Sequence, residues 1–353
     1  MDKAIKIILA LILGISAMVF PAYAGEINVN DLENTEISET KSVRFTDVNE
    51  KDYYYFAVDW AVDNGVTTGT SEMSFSPEEV CLRCQIVTFL WRTAGCPEPS
   101  DTEVPFTDIK EGSFYYNAVL WAYQNGITTG TSKNTFSPYE PCLRGQIITM
   151  LWRWLEKPKT TESNITFSDV DQNMFCYDSV KWAAESKITT GTSENTFSPN
   201  AECSRSQAVT FIFRTKAYNF NAIYIRTTPR DIDSSNPGYV IIKSKEELEN
   251  YYKENESAYY FNLSLGGSDS FEDSIKKYDE AWFENNMLIM VVALEPSGGI
   301  GHVVEALTKS AVYIKRLIPE VGTTDMDAWH IIIEADSCFV SNTDFSVKYK
   351  AIK

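Results

Sequence analysis

The stretch Phe75-Ser76-Pro77, followed by Cys81, Arg83 and Gln85, is written three times in this chain. It returns as Phe136-Ser137-Pro138 with Cys142, Arg144 and Gln146, and again as Phe197-Ser198-Pro199 with Cys203, Arg205 and Gln207. The spacing is 61 residues each time, with no gap. Upstream of it, Phe45, Phe106 and Phe167 open copies of about fifty residues, and Asp47, Asp108 and Asp169 follow them. Trp60, Trp121 and Trp182 come next, then Gly69, Gly130 and Gly191. A repeat of fixed period decides the fold before any single residue does. Three copies also suggest a binding surface built three times.

Within a copy the apolar residues recur at helical spacing. Phe56, Ala57, Trp60 and Ala61 share one face, and Gly65 ends that helix as a left-handed cap. Ala118, Trp121, Ala122 and Gly126 repeat the arrangement. The third copy has Lys187 at the cap, so it must either accept a strained backbone or end the helix differently. A Thr-Thr-Gly-Thr loop follows, and a second helix carries Ile86, Phe89 and Leu90, matched by Ile147, Met150 and Leu151 and by Ala208, Phe211 and Ile212. One helix–loop–helix unit is too small to bury both apolar faces, so the three are expected to pack together.

The first 24 residues read as a secretory leader: Lys3 and Lys6, an apolar run from Ile7 to Phe20, then Ala22-Tyr23-Ala24. That run is too short to span a bilayer. Without the leader the net charge moves from −18 to −19. So acidic a chain does not bind nucleic acid or anionic lipid through its overall field. Residues 25–44 read as an acidic linker, the repeats as 45–96, 106–157 and 167–217, residues 218–236 as a second linker, and 237–353 as a separate domain. Seven cysteines is an odd number for an exported chain. Cys81 and Cys84 have redox-motif spacing, but Gly145 and Ser206 replace the second cysteine in the later copies, which favours small buried thiols. No Cys/His set has metal spacing, and no cofactor is expected.

Arg83, Arg144 and Arg205 each fall in the first turn of a helix. A cation there opposes the helix dipole by about 0.3–1 kcal/mol. One compensation is an anionic ligand held by guanidinium and helix-start N–H groups, with Gly69, Gly130 and Gly191 allowing close approach. The other is internal pairing with Asp47, Asp108 or Asp169. The tryptophans can stack on sugars, but their place on the apolar face favours core packing.

The pattern Phe-x-Asp, Trp-Ala, Gly-Thr, Phe-x-Pro and then arginine inside a four-residue signature resembles the S-layer homology (SLH) domain, over about residues 45–217. The resemblance implies an all-α, pseudo-threefold bundle that binds secondary cell-wall polysaccharide, often pyruvylated, in grooves between units. The family signature is Thr-Arg-Ala-Glu. Here it reads Leu82-Arg83-Cys84-Gln85, Leu143-Arg144-Gly145-Gln146 and Ser204-Arg205-Ser206-Gln207. The arginine role carries over, whereas contacts made by the Glu carboxylate or Thr hydroxyl do not. The expected sugar-binding residues are therefore Arg83, Arg144 and Arg205, with Gln85, Gln146 and Gln207 and the three loop glycines.

Beyond residue 237 the pattern changes. Ser244 to Glu247 form a capping box opening a helix through about Lys253, and a second helical stretch covers Phe271 to Phe283. Five strand-like runs follow: Met287–Leu294, His302–Thr308, Ala311–Leu317, Trp329–Ala335 and Ser346–Ile352. This is a small α+β domain with a mostly antiparallel sheet. Its Ser297-to-Gly301 turn reads as a tight hairpin with positive φ angles, and with the strand order it resembles a PrcB-type (protease-complex subunit) domain. That resemblance implies a protein partner rather than chemistry; the length of the loop Ile318–Met326 separately marks it as part of a contact surface. A Ser297, His302 or His330, and Asp325 triad can be drawn, but no spacing favours it. The expectation is a non-enzymatic protein anchored on the bacterial wall. The alternative is a surface-anchored enzyme with a catalytic C-terminal domain.

Overall fold

Six helices realise the repeat: α1 (Tyr55–Asp63), α2 (Arg83–Thr93), α3 (Tyr116–Gln124), α4 (Arg144–Trp154), α5 (Tyr177–Glu185) and α6 (Arg205–Lys216). The computed structural model describes residues 45–101, 103–160, 167–230, 238–265, 269–323, 326–339, 341 and 345–352, all within one compact unit, Thr40–Lys353. The leader, the acidic linker of 25–44, residues 231–237 of the second linker, and Asp325 lie outside the described residues.

The second helices start where an extended residue (Leu82, Leu143 or Ser204) meets the arginine. The glutamine three residues on turns back, and its Oε1 accepts the N–H of Leu82 (2.9 Å), Leu143 (3.2 Å) or Ser204 (3.4 Å). Only Ser204 completes the reciprocal box, its Oγ accepting Gln207 N at 3.3 Å, because leucine has no acceptor. The first helices end at Gly65 (φ +66°), Gly126 (φ +65°) and Lys187 (φ +57°). Lys187 thus takes the left-handed backbone. Nothing lies within 4 Å of where a Cβ would sit at Gly65 or Gly126, so the space admits a side chain and the cost is conformational.

Neighbouring copies share their cores. α2 packs on α3, α4 on α5, and α6 returns to α1. The backbone closes the same circuit: Cys81 N donates to Cys203 O (2.8 Å), Cys142 N to Cys81 O (2.9 Å) and Cys203 N to Cys142 O (2.9 Å). Phe56, Trp60, Ile86 and Leu90 are buried in one continuous cluster with Trp121, Trp182, Ile147, Leu151, Ala208 and Ile212. Burying such a side chain is worth about 1.5–3 kcal/mol, and no single unit can supply that for both of its faces.

The C-terminal part forms a helical layer and two sheets. Its strands are β1 (Phe220–Thr227), β2 (Tyr239–Ile242), β3 (Asn286–Glu295), β4 (Gly301–Leu307), β5 (Ala311–Leu317), β6 (Asp327–Asp336) and β7 (Ser346–Ile352). One sheet runs β1-β6-β3-β2, all antiparallel; the other runs β4-β5-β7, with β5 and β7 parallel. Ile289, Ile331 and Ile333 meet Leu307, Val312 and Ile314 between the sheets. Helix α7 (Lys245–Asn255) packs Leu248 and Tyr251 on the opposite face, with α8 (Phe271–Ile275) and α9 (Glu280–Phe283) beside it.

Three sequence expectations are corrected here. Residues 220–227 are not linker: β1 pairs with β6 along its whole length, and the run Ala222-Ile223-Tyr224-Ile225 carries the strand signal. The helical stretch 271–283 is two helices, because Asp279 caps a new start by accepting Trp282 N at 2.8 Å. The Ser297–Gly301 turn is not a hairpin, since it passes from β3 in one sheet to β4 in the other, and its glycines do not have positive φ. Gly298 instead lies against side-chain ends: a Cβ there would fall 2.5 Å from Asp327 Oδ2 and against the Arg226 guanidinium, which would have to shift.

The two parts dock directly. Tyr313 of β5 sits between Phe56 and Phe213, with ring centroids 5.1 Å from each. Lys348 of β7 bridges Asp59 (2.5 Å) and Asp63 of α1. Lys350 lies 4.6 Å from the Phe56 ring centre and 3.0 Å from Glu305.

Candidate functional site

Arg83, Arg144 and Arg205 each reach out of their own copy. Arg83 Nε donates to Phe136 O, Arg144 Nε to Phe197 O and Arg205 Nε to Phe75 O, each at 2.9 Å. Each guanidinium also lies over the ring of that same phenylalanine, at 4.8, 4.8 and 4.9 Å. The loop is held from its other side by its own aspartate. Asp47 accepts Phe75 N (2.9 Å) and Ser76 N (2.8 Å); Asp108 accepts Phe136 N and Ser137 N; Asp169 accepts Phe197 N and Ser198 N. So one peptide segment per copy is gripped by an acid at its N–H groups and by the preceding copy's arginine at its carbonyl.

This differs from both compensations considered from sequence. The arginines are buried, each 3% exposed, yet none forms an ion pair among the described residues. The aspartates are spent on backbone N–H groups instead. Burial pulls each arginine below its ordinary value, and Asp108, Asp169 and Asp47 oppose that for Arg83, Arg144 and Arg205 respectively. Arg83 Nη1 donates to Gln146 Oε1 at 3.2 Å, and its Nη2 has no hydrogen-bond partner among the described residues. A buried donor left so costs about 1–3 kcal/mol unless something fills the position.

The glutamines act as helix caps, and Gln146 also receives Arg83. The loop glycines serve packing. Gly69, Gly130 and Gly191 have φ of +89°, +80° and +87°, and a Cβ on Gly69 would lie 2.5 Å from Phe45 Cε1 and from Ser74 O. What approaches these glycines closely is the protein's own Phe45, Phe106 or Phe167. Trp60, Trp121 and Trp182 are buried in the core; Trp60 packs on Phe213 at 5.8 Å.

Two features of the repeat escaped the sequence reading. Ser76, Ser137 and Ser198 precede proline yet have φ of +56°, +57° and +60°. Their hydroxyls pair with those of Thr70, Thr131 and Thr192 at 2.7, 2.6 and 2.7 Å, giving each junction a partly exposed hydroxyl pair. A second arginine set, Arg92, Arg153 and Arg214, obeys the same period. Their Nη1 atoms cap Val66 O, Ile127 O and Ile188 O at 3.1, 3.4 and 3.1 Å. The 61-residue spacing was the available signal in both cases.

The seven cysteines are free. Burial pushes the thiol of Cys84 up to about 11 and that of Cys142 up to about 12, which leaves no reactive thiolate there. The C-terminal histidines are engaged separately. His302 Nε2 meets Glu295 at 2.7 Å, and Arg316 grips the same carboxylate at 2.9 and 2.5 Å. His330 meets Thr227 Oγ1 at 2.8 Å inside a cage of Tyr259, Phe261 and Phe271, and burial pulls it down to about 3. Ser297 Oγ pairs with Thr323 Oγ1 at 3.0 Å. The described members of the drawn triad therefore have other partners: Ser297 pairs with a loop residue, His302 with Glu295 of β3 and His330 with Thr227 of β1.

A family model described as the S-layer homology domain matches residues 44–83, 105–148 and 166–209. The chain is 29% identical over 184 residues to an endoglucanase of Bacillus sp. (strain KSM-635), covering 51% of this chain and 19% of that protein. It is 33% identical over 116 residues to a cell surface protein of Thermoanaerobacter kivui (31% and 15%), and 30% identical over 95 residues to the surface-layer 125 kDa protein of Lysinibacillus sphaericus (27% and 8%). The chain spans less than a fifth of the length of these relatives. The enzymes are matched over the repeat region alone. No helix among the described residues is long and apolar enough to cross a membrane.

Proposed function

We propose that this chain, which carries three S-layer homology domains, is held non-covalently on the bacterial cell wall by them and displays its C-terminal domain at the surface. The observation that carries this reading is the repeated junction: a buried guanidinium with no carboxylate partner, reaching a strained Phe-Ser-Pro segment beside paired hydroxyls. An anionic, hydroxyl-rich polymer satisfies both halves of that arrangement. A carboxylate, such as that of a pyruvyl ketal, would meet the arginine, and sugar hydroxyls would meet Ser76, Ser137 or Ser198. The circuit of contacts from copy to copy supports a pseudo-threefold bundle, in which the junctions would present equivalent grooves. Several junctions on one polymer raise the apparent affinity without any new contact.

The C-terminal domain is read as a protein-binding module rather than an enzyme. Its support is the sequence resemblance, together with histidines and a serine held in separate structural contacts. The test is sedimentation of the full chain with purified walls, before and after extraction of the anionic polymer, beside an Arg83→Lys/Arg144→Lys/Arg205→Lys variant. Lysine keeps the charge and loses the planar fork. The wild type is expected to pellet with intact walls only, and the variant to pellet weakly. Equal pelleting with extracted walls refutes the reading.

A further inference from the structure

The second arginine set points to a different end of the molecule. Arg92 lies nine positions beyond Arg83 on α2, roughly 14 Å along the helix at about 1.5 Å per residue. Where that end of the repeats meets the C-terminal sheet there is a cleft of about 610 Å³. Three distant segments build it. Trp60 and Arg92 come from the first copy, Thr215 and Lys216 from the end of α6, and Lys309 and Ser310 from the β4–β5 turn. Its volume falls in the usual range of small-ligand sites.

Charge makes this cleft unusual. The chain has 49 Asp and Glu against 31 Lys and Arg, yet among the described residues no acidic side chain lines it. Lys216 lies over the Trp154 ring at 4.2 Å, partly buried, and Lys309 is exposed. Neither has a carboxylate in ion-pair distance among the described residues. Burial first, and Lys309 second, hold Lys216 below its ordinary value, so the fold brings like charges together uncompensated. A comparable cleft between the second and third copies, about 480 Å³, has Trp182, Arg214 and Lys159, but there Glu185 lines the same space. In the first cleft, by contrast, the C-terminal turn supplies Lys309 and no acidic side chain faces it among the described residues.

We propose that this cleft binds an anionic saccharide unit, its carboxylate or phosphate between Lys216 and Lys309 and its hydroxyls on Thr215 and Ser310. The site is separate from the junction arginines and needs both halves of the chain. Its ligand would also tie those halves together, because a ligand that binds only the docked state stabilises it by mass action.

The test is calorimetric titration of the full chain with glucuronate, glucose 6-phosphate, inorganic phosphate and glucose. Circular dichroism checks the fold of each variant. Saturable, salt-sensitive binding of glucuronate or glucose 6-phosphate in the millimolar range or tighter is expected, and which of the two binds names the acid group. Lys309→Gln, at an exposed position that does not support the fold, should weaken it severalfold. Lys216→Gln/Lys309→Gln should weaken it tenfold or more, as loss of charge-assisted hydrogen bonds requires. The proposal is overturned if neither sugar acid saturates or if Lys309→Gln binds as the wild type does. It is equally overturned if inorganic phosphate or glucose binds as well as the sugar acids.

Discussion

Lys348→Met is the substitution that most directly tests how the two halves are joined. Lys348 is the shared cation of Asp59 and Asp63, and Asp59 is only 1% exposed. Burial pushes the Asp59 carboxyl up to about 6 from 3.8, with Lys348 opposing the rise and Asp63 adding to it. The folded state therefore holds a proton that the unfolded chain releases between about pH 4 and pH 6. Stability from this group falls as pH rises through that window, and the cost is fully present above it. Two pKa units correspond to about 3 kcal/mol. Methionine removes the cation and leaves a buried, unpaired carboxylate, which costs about 3–5 kcal/mol near neutrality. Below about pH 5 Asp59 is neutral, and most of that cost should vanish. Urea unfolding at about pH 7.5 and about pH 5, for wild type, Lys348→Met, Asp59→Asn and the double variant, measures it. Asp59→Asn should restore most of the loss in the Lys348→Met background. A loss under about 1 kcal/mol near neutrality, or one equal at both pH values, refutes the reasoning.

Three further outcomes are expected. Lys187→Gly should stabilise the chain by about 1 kcal/mol in urea unfolding, because it relieves a left-handed backbone that Gly65 and Gly126 occupy in the other copies. Gly130→Ala should destabilise it by more than about 2 kcal/mol and lower the melting temperature, since the added Cβ would lie 2.4 Å from Thr135 O at φ +80°. Tyr313→Ala should cost about 3–5 kcal/mol and expose the Ala217–Asn219 connection to limited proteolysis, because that ring fills the contact with Phe56 and Phe213.

Much of the repeat region was legible locally. The start of each second helix, at its arginine, and the glycine that ends two of the first helices are set by neighbours within a turn, so spacing is enough to place them. The C-terminal strands from β3 onward were legible for the same reason, through runs of β-branched residues. β1 was passed over because it is isolated from the other strands and pairs with β6 more than a hundred residues away. The capping role of the glutamines was not legible in the family signature, because it depends on an extended residue three positions upstream. The turn at Gly298 differs from its reading because a glycine-rich run looks the same in sequence whether or not its residues adopt positive φ.

What the sequence determined by itself was the threefold repetition, the helical character of each copy and the change to strands after it, since periodicity records which residues share a face. Tertiary structure alone decided whom each arginine meets. Arg83 and Arg144 reach a carbonyl 53 residues downstream, whereas Arg205 returns to one 130 residues upstream. The arginine, the phenylalanine and their spacing are the same in the third copy as in the others; the difference comes from closing the circuit, when the last helix has no following copy and packs on the first. Likewise only packing brought Lys216 to Lys309 and Lys348 to Asp59, because contacts between distant segments depend on which surfaces bury each other and not on spacing along the chain.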